Sequence, residues 1–275
     1  MSTFTPFVDL LAARTREARI VTYHVTEDWQ QGRTAYGGLI AALAAQAMRD
    51  VAGAGWPSTM RLRALQTNFI GPVAVGPFEV AVQVLREGKS VSQVQATVTS
   101  AGQVAAVLVG VYGNPRATTV RVLAPAQPAV TFTSENAPSR PYVPGQSVSF
   151  LQHFHFGWAA GDPPVSGGSG WFTSIHVRLL GDRADSVDRD VLTVLLADLP
   201  PTPALSHFKQ FAPASSVSWA LELLPQDTPV GADDCWRIDT EAHSAADGYV
   251  NHSSTLWSAA GQAVAFGHQV VAIYG

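Results

Sequence analysis

A chain of 275 residues, 47% apolar and only 14% charged, is long enough to bury a substantial core and too hydrophobic to be disordered. Its formal net charge of −4, with no basic run, removes the electrostatic footprint of a nucleic-acid binder. The single cysteine, Cys235, cannot close an internal disulfide and fits a reducing compartment, where cysteine catalysis has no supporting context.

The chain starts MSTFTPFVDLLAARTREARI, with acidic and basic residues where a secretory signal needs an unbroken apolar core. A cytoplasmic protein is expected. Gly37–Asp50 (GGLIAALAAQAMRD) follows as a helix of high propensity, opened by two glycines and apolar around most of its circumference. Such a helix has to be enclosed. Neither Gly37–Met48 nor Val104–Tyr112 is long enough to cross a bilayer. After the turn at Gly55–Trp56–Pro57, strands are predicted at Met60–Ile70, Pro77–Arg86, Ser90–Thr99 and Val104–Tyr112. Hairpin turns fall at Glu87–Lys89 and Ala101–Gly102.

Residues 114–145 carry Pro115, Pro125, Pro128, Pro138, Pro141 and Pro144, so this stretch holds no long helix or central strand and reads as a crossover. Beyond it, strands are predicted at Ser147–Trp158 and Gly170–Leu180. A helix is expected at about Asp188–Leu199, with Asp188 and Asp190 at its positive end and Leu199–Pro200–Pro201 stopping it. Strands follow at Ser215–Leu224, Cys235–Ala246, Tyr249–Ser258 and Ala263–Tyr274.

The end of the chain repeats its middle. At a constant offset of 159, the stretch that begins at Val91 matches the one that begins at Val250: Val91 falls on Val250, Ala101–Gly102–Gln103 on Ala260–Gly261–Gln262, and Ala106 on Ala265. Gly110 then faces Gln269, so only the later copy has a polar group in its apolar returning strand. The expectation is a pseudo-dimer with one working site, divided into residues 1–114, a linker at 115–146, and 147–275.

An enclosed helix followed by a curled antiparallel meander, found twice, describes an α+β double hotdog with two long helices, each wrapped by its own curved sheet. The chain resembles the TesB-like acyl-CoA thioesterase family. Tyr36–Gly37–Gly38, Thr67–Pro72 and Arg86–Val91 resemble the family's amino-terminal pattern; Leu196–Ala197–Asp198, Ser216–Val217–Ser218 and Val264–Gln269 resemble its carboxy-terminal one. The resemblance implies hydrolysis of an acyl-CoA, no cofactor or metal, no membrane partner, and a homodimer of double hotdogs.

Asp198 sits near the C-terminal end of an apolar helix, where the helix dipole disfavours a negative charge, so something other than helix stability should explain it. An exposed aspartate in the turn before Leu199–Pro200–Pro201 is the plain alternative. The resemblance makes it the base that deprotonates water. Gln269 interrupts an apolar strand, and a buried amide needs partners; the resemblance makes it a second catalytic group, against a solvent-facing side chain. Ser216 falls where the family usually has threonine and becomes a third water-holding group, with Ser215 and Ser218 close enough for the alignment to slip. Gly37, Gly38 and Leu39 open the first helix, whose free N–H groups could bind an oxyanion.

The eight histidines, among them His153 and His155 two apart on a probable strand face, form no zinc-ligand pattern. Two other functions stay open. A hotdog enoyl-CoA hydratase needs an Asp/His pair on a loop entering the central helix, and none is visible near Gly37 or Asp188. A non-catalytic acyl-ligand binder is kept open by Ser216 and by Gln66, which lies near a position where some members carry histidine.

Overall fold

The computed structural model describes residues 4–121, 123–226 and 228–274. In chain order its elements are α1 (Phe7–Ala12), β1 (Thr15–Glu17), β2 (Ile20–Val25), β3 (Gln30–Gln31), β4 (Thr34–Ala35), α2 (Gly37–Ala52), β5 (Arg61–Phe69), β6 (Gly76–Glu87), β7 (Val91–Ser100) and β8 (Gln103–Gly113). The later half adds β9 (Phe154–Gly161), β10 (Phe172–Leu179), α3 (Arg189–Ala197), β11 (Ala214–Leu223), β12 (Trp236–Ala246), β13 (Tyr249–Trp257) and β14 (Ala263–Ile273).

Twelve strands form one antiparallel sheet in the order β1-β2-β6-β7-β8-β5-β11-β14-β13-β12-β10-β9. The expected pair of separate sheets is therefore a single continuous one, joined where β5 meets β11. That junction pairs Gln66 with Ala220 and Leu65 with Leu221. On either side the ladders match: Leu65 faces Gly110 on β8, and Trp219 faces Gln269 on β14. A pseudo-twofold axis thus passes through the Gln66–Ala220 pair.

Among the described residues only α2, sixteen residues, is a long helix; α3 has nine, where two long ones were expected. Asp188 is the N-cap rather than part of the helix, its carboxylate accepting from Asp190 N–H at 2.9 Å, and the chain leaves the helix at Asp198. Pro200 enforces that exit by barring the residue before it from helical geometry. Ala41, Ala42, Leu43, Ala44 and Ala47 of α2 are wholly buried, as an all-round apolar helix demands. Small alanines let the sheet and α3 approach it on several sides.

The two helices lie antiparallel. At one end Arg49 of α2 and Arg61 of β5 each reach Asp190 at the start of α3, both at 3.1 Å. At the other, the Tyr36 hydroxyl donates to the Leu195 carbonyl at 2.8 Å. The predicted strand at Ser147–Trp158 begins later than expected: Ser149–His153 is a 3-10 turn, which lets Phe150 stack on Tyr36 with ring centroids 4.3 Å apart. The proline-rich crossover then runs along the free edge of β9, with Arg140 N–H donating to the Phe156 carbonyl and Trp158 N–H to Pro138, at 3.0 and 2.9 Å. This covers an edge that would otherwise invite pairing with another chain.

The repeat holds for the returning strand and slips by one on the outgoing strand. Val94 faces Gly110 in the first ladder, whereas His252 faces Gln269 in the second, an offset of 158 rather than 159. Val91 therefore corresponds to Tyr249, not to Val250. The cause is the turn: Ala101 and Gly102, both at positive φ, close the first hairpin tightly, while the second runs from Ser258 to Gln262 and is one residue longer.

Candidate active site

Three elements converge at the start of α2. Asp198 leaves the end of α3, Gln269 projects from β14, and Ser216 from β11. The Gln269 amide nitrogen donates to Asp198 Oδ1 at 2.7 Å and to Ser216 Oγ at 2.8 Å. Gln269 is buried and faces the helices, so the solvent-facing alternative is set aside.

Ser216 reaches this face because of an irregularity that sequence spacing cannot show. Between Ser216 and Ser218 two steps of β11 oppose one step of β14, from Val271 to Val270. The bulge at Val217 switches the alternation, so that Ser216 and Trp219, an odd number of residues apart, point the same way. Neither Ser215 nor Ser218 is bonded to Gln269 in their place.

The dipole puzzle at Asp198 resolves across the helix pair. The carboxylate stands at the unfavourable end of its own helix and against the favourable end of the neighbouring one. The Gly38 N–H is aimed at it, and Oδ2 lies only 2.8 Å from where a β-carbon on Gly37 would sit. Glycine is what admits the carboxylate so close. The side chain keeps an opening to solvent yet has protein on nearly every side. Burial pushes its pKa up to about 7, opposed by the hydrogen bonds from Gln269 and Gly38.

Of the three residues expected to present N–H groups, Gly38 has its own directed at Asp198. Tyr36 fills the space over Gly38, and its hydroxyl bond to Leu195 fastens the start of α2 to the end of α3.

The corresponding place in the first half is filled. A β-carbon on Gly110 would lie 2.8 Å from Met48 Sδ and 3.0 Å from the Tyr112 ring. At the start of α3, Arg189 and Asp190 stand where α2 has Gly37 and Gly38, and Asp190 is held by Arg49, Arg61 and the Leu62 N–H.

The loop before α2 does carry an aspartate, Asp28, that meets a histidine, unseen in sequence because His153 lies in the other half. Asp28 Oδ2 is 3.2 Å from His153 Nε2. Both are buried, Asp28 1% and His153 0% exposed, and His153 stacks on Trp29 at 3.8 Å. His268, by contrast, faces outward from β14.

An acyl-CoA thioesterase N-terminal domain model matches residues 25–113, and an acyl-CoA thioesterase C-terminal domain model matches residues 134–273. The chain belongs to the acyl-CoA thioesterase family. It is accordingly an enzyme of the thioesterase class. No curated protein matches the sequence.

Solved structures similar to this thioesterase include a conserved protein of unknown function with a hotdog fold from Alicyclobacillus acidocaldarius, 20% identical, with a TM-score of 0.82 over 99% of each chain. The TesB protein of Mycobacterium avium subspecies paratuberculosis is 16% identical, with a TM-score of 0.75 over 98% of this chain and 100% of its own. The acyl-CoA thioesterase II TesB2 of Mycobacterium marinum is also 16% identical, with a TM-score of 0.71 over 98% of this chain and 97% of its own. At these identities the likeness establishes the fold, which is the hotdog. Among the described residues no helix is long and apolar enough to cross a membrane.

Proposed function

We propose that this thioesterase hydrolyses acyl-CoA by direct attack of water. One observation carries the reading: a single carboxamide, Gln269, bridges Asp198 and Ser216 beside the glycine-opened end of α2. Asp198, ionised above about pH 7, takes a proton from water as the water oxygen bonds to the thioester carbonyl carbon. Gln269 ties Ser216 to Asp198, and that pair holds the water in line. The N–H groups of Gly37 and Leu39, at the positive end of α2, meet the oxyanion of the tetrahedral intermediate. Collapse breaks the carbon–sulfur bond, and the proton held on Asp198 goes to the departing thiolate. Free acid and coenzyme A result, and the scheme calls for no metal or redox cofactor.

The same reading makes the molecule a double hotdog, divided at residues 1–114, 115–146 and 147–275, with one working site in the later half. The acyl chain lies along the apolar groove between α2 and α3 and the coenzyme A arm on the surface. A cytoplasmic setting fits the lone cysteine. Two such chains associate, and light scattering at micromolar concentration should give the mass of a dimer; a monomer rejects that part.

Thiol release across a panel of acyl lengths tests the chemistry. Gln269→Leu should lower kcat roughly 10²-fold, the scale of losing a preorganised donor. Ser216→Ala should lower it about tenfold, one neutral hydrogen bond's worth. Undiminished turnover in Gln269→Leu would remove the bridging amide from the mechanism.

A further inference from the structure

The amide of Gln269 has two hydrogens and one oxygen. Both hydrogens are engaged, one by Asp198 Oδ1 and one by Ser216 Oγ. The carbonyl oxygen is left to the other side, and there the next strand brings His252. It stands directly opposite Gln269 in the β13–β14 ladder, so that the two side chains share a face of the sheet, and it is only 5% exposed. Its Nδ1 is buried with no partner, which leaves Nε2 as the ring nitrogen free to serve a neighbour.

The first half shows the same ladder position without this chemistry, with Val94 opposite Gly110. Histidine and glutamine are therefore polar together in the half that holds Asp198, and both places are apolar or bare in the half that does not.

We propose that His252 is a positioning residue whose Nε2–H holds the Gln269 carbonyl oxygen, so that the amide turns its N–H toward Asp198. A carboxamide rotated by half a turn would present its oxygen instead. That face suits only a protonated Asp198, which alone could donate to it. Fixing the amide the other way favours the ionised carboxylate.

The ionisable groups around the pair are Asp198 on α3, Tyr36 at the start of α2, His243 on β12 and His268 on β14. Tyr36 stays protonated, since burial pushes its hydroxyl far up. Burial chiefly, opposed by the bond to Gln269 and reinforced by His243 and His268, brings His252 down to about 4. The donor is thus a neutral imidazole throughout the pH range in which Asp198 titrates.

For turnover the inference rests on Asp198 acting as the base; for the protonation of Asp198 it does not. The test follows the carboxyl carbon of Asp198 by NMR in aspartate-labelled protein while pH is varied, alongside thiol-release kinetics, in wild type, His252→Leu and His252→Gln. In His252→Leu the Asp198 titration should move up by roughly half to one pH unit, the acid limb of kcat/KM should follow, and kcat should fall about tenfold. KM should hardly change. His252→Gln, which keeps a donor in reach, should restore the wild-type titration.

An Asp198 titration that is the same in His252→Leu as in wild type overturns the inference. If the titration moves and the acid limb does not, His252 keeps its role and the base assignment fails. Should His252→Leu not fold, nitrogen shifts of labelled histidine in the wild type decide: an Nε2–H tautomer with no titration above about pH 5 supports the inference, and an Nδ1–H tautomer or a charged ring at pH 6 overturns it.

Discussion

Replacing Asp198 by asparagine should lower kcat roughly 10³-fold, the range typical of losing a positioned general base, and should at the same time make the folded protein more stable at pH 8. The two effects share one cause. Burial raises this carboxyl from 3.8 to about 7, so between those values the native chain holds a proton that the unfolded chain has released. The group's stabilising contribution is complete below the unfolded value and is lost as pH rises through the folded one. At pH 8 a charge remains in a place poorly suited to it, and asparagine mimics the neutral form. Allowing for the opening to solvent and for the hydrogen bond that asparagine cannot replace, the gain is on the order of 1–2 kcal/mol. Thermal unfolding should show a higher Tm than wild type at pH 8 and little difference near pH 4. A Tm difference independent of pH would mean that the carboxylate is not desolvated. Wild-type thiol release by the variant would mean that it is not the base.

Gly37→Ala should lower kcat roughly 10²-fold for a different reason. The added methyl would stand 2.8 Å from Asp198 Oδ2 and 3.3 Å from the Phe69 ring. Oδ2 belongs to a carboxylate held from two other directions, and Phe69 ends a strand at the centre of the sheet. Either the base moves or the start of α2 does. A displacement of about 1 Å is enough for such a loss. Gly55→Ala is the matched control: its new methyl would meet nothing within 4 Å, and its turnover should equal wild type. Equal turnover in both variants would show that the helix start and the carboxylate need not touch for the reaction to proceed.

Much of the fold was legible because the chain obeys its local rules. The Ala/Leu run with no charge before Arg49 could only be an enclosed helix, and the meander strands carry their own turns at Lys89 and Gly102. What misled the reading is in each case a single-residue event that pattern cannot resolve. The extra residue between Ser258 and Gln262 shifts one strand of the repeat. Ser149–His153 winds into a 3-10 turn because Phe150 has Tyr36 to stack on. The second helix is shorter than its apolar run, since Pro200 acts one residue ahead of itself.

The site was legible in part, and for reasons that differ by residue. Asp198 and Gln269 stood out as polar groups where their surroundings gave no local account of them. Ser216 depended on resemblance, because without the bulge at Val217 its face is wrong. Gly38 was legible as a helix opening but not as a donor already directed at the carboxylate, which depends on how α3 docks. His252 was invisible as a partner of Gln269, since the repeat taken at its constant offset sets the two out of register.

The pseudo-twofold axis through Gln66 and Ala220 has a consequence for how such a molecule can be taken apart. The backbone donors at Gly37 and Leu39 come from one side of that axis, and the carboxylate, amide and hydroxyl from the other. Cutting the chain in its proline-rich middle should give two fragments, each inert alone, whose reassembly along β5 and β11 would rebuild the proposed catalytic ensemble. Recovered hydrolysis would then report directly on the mating of two strand edges.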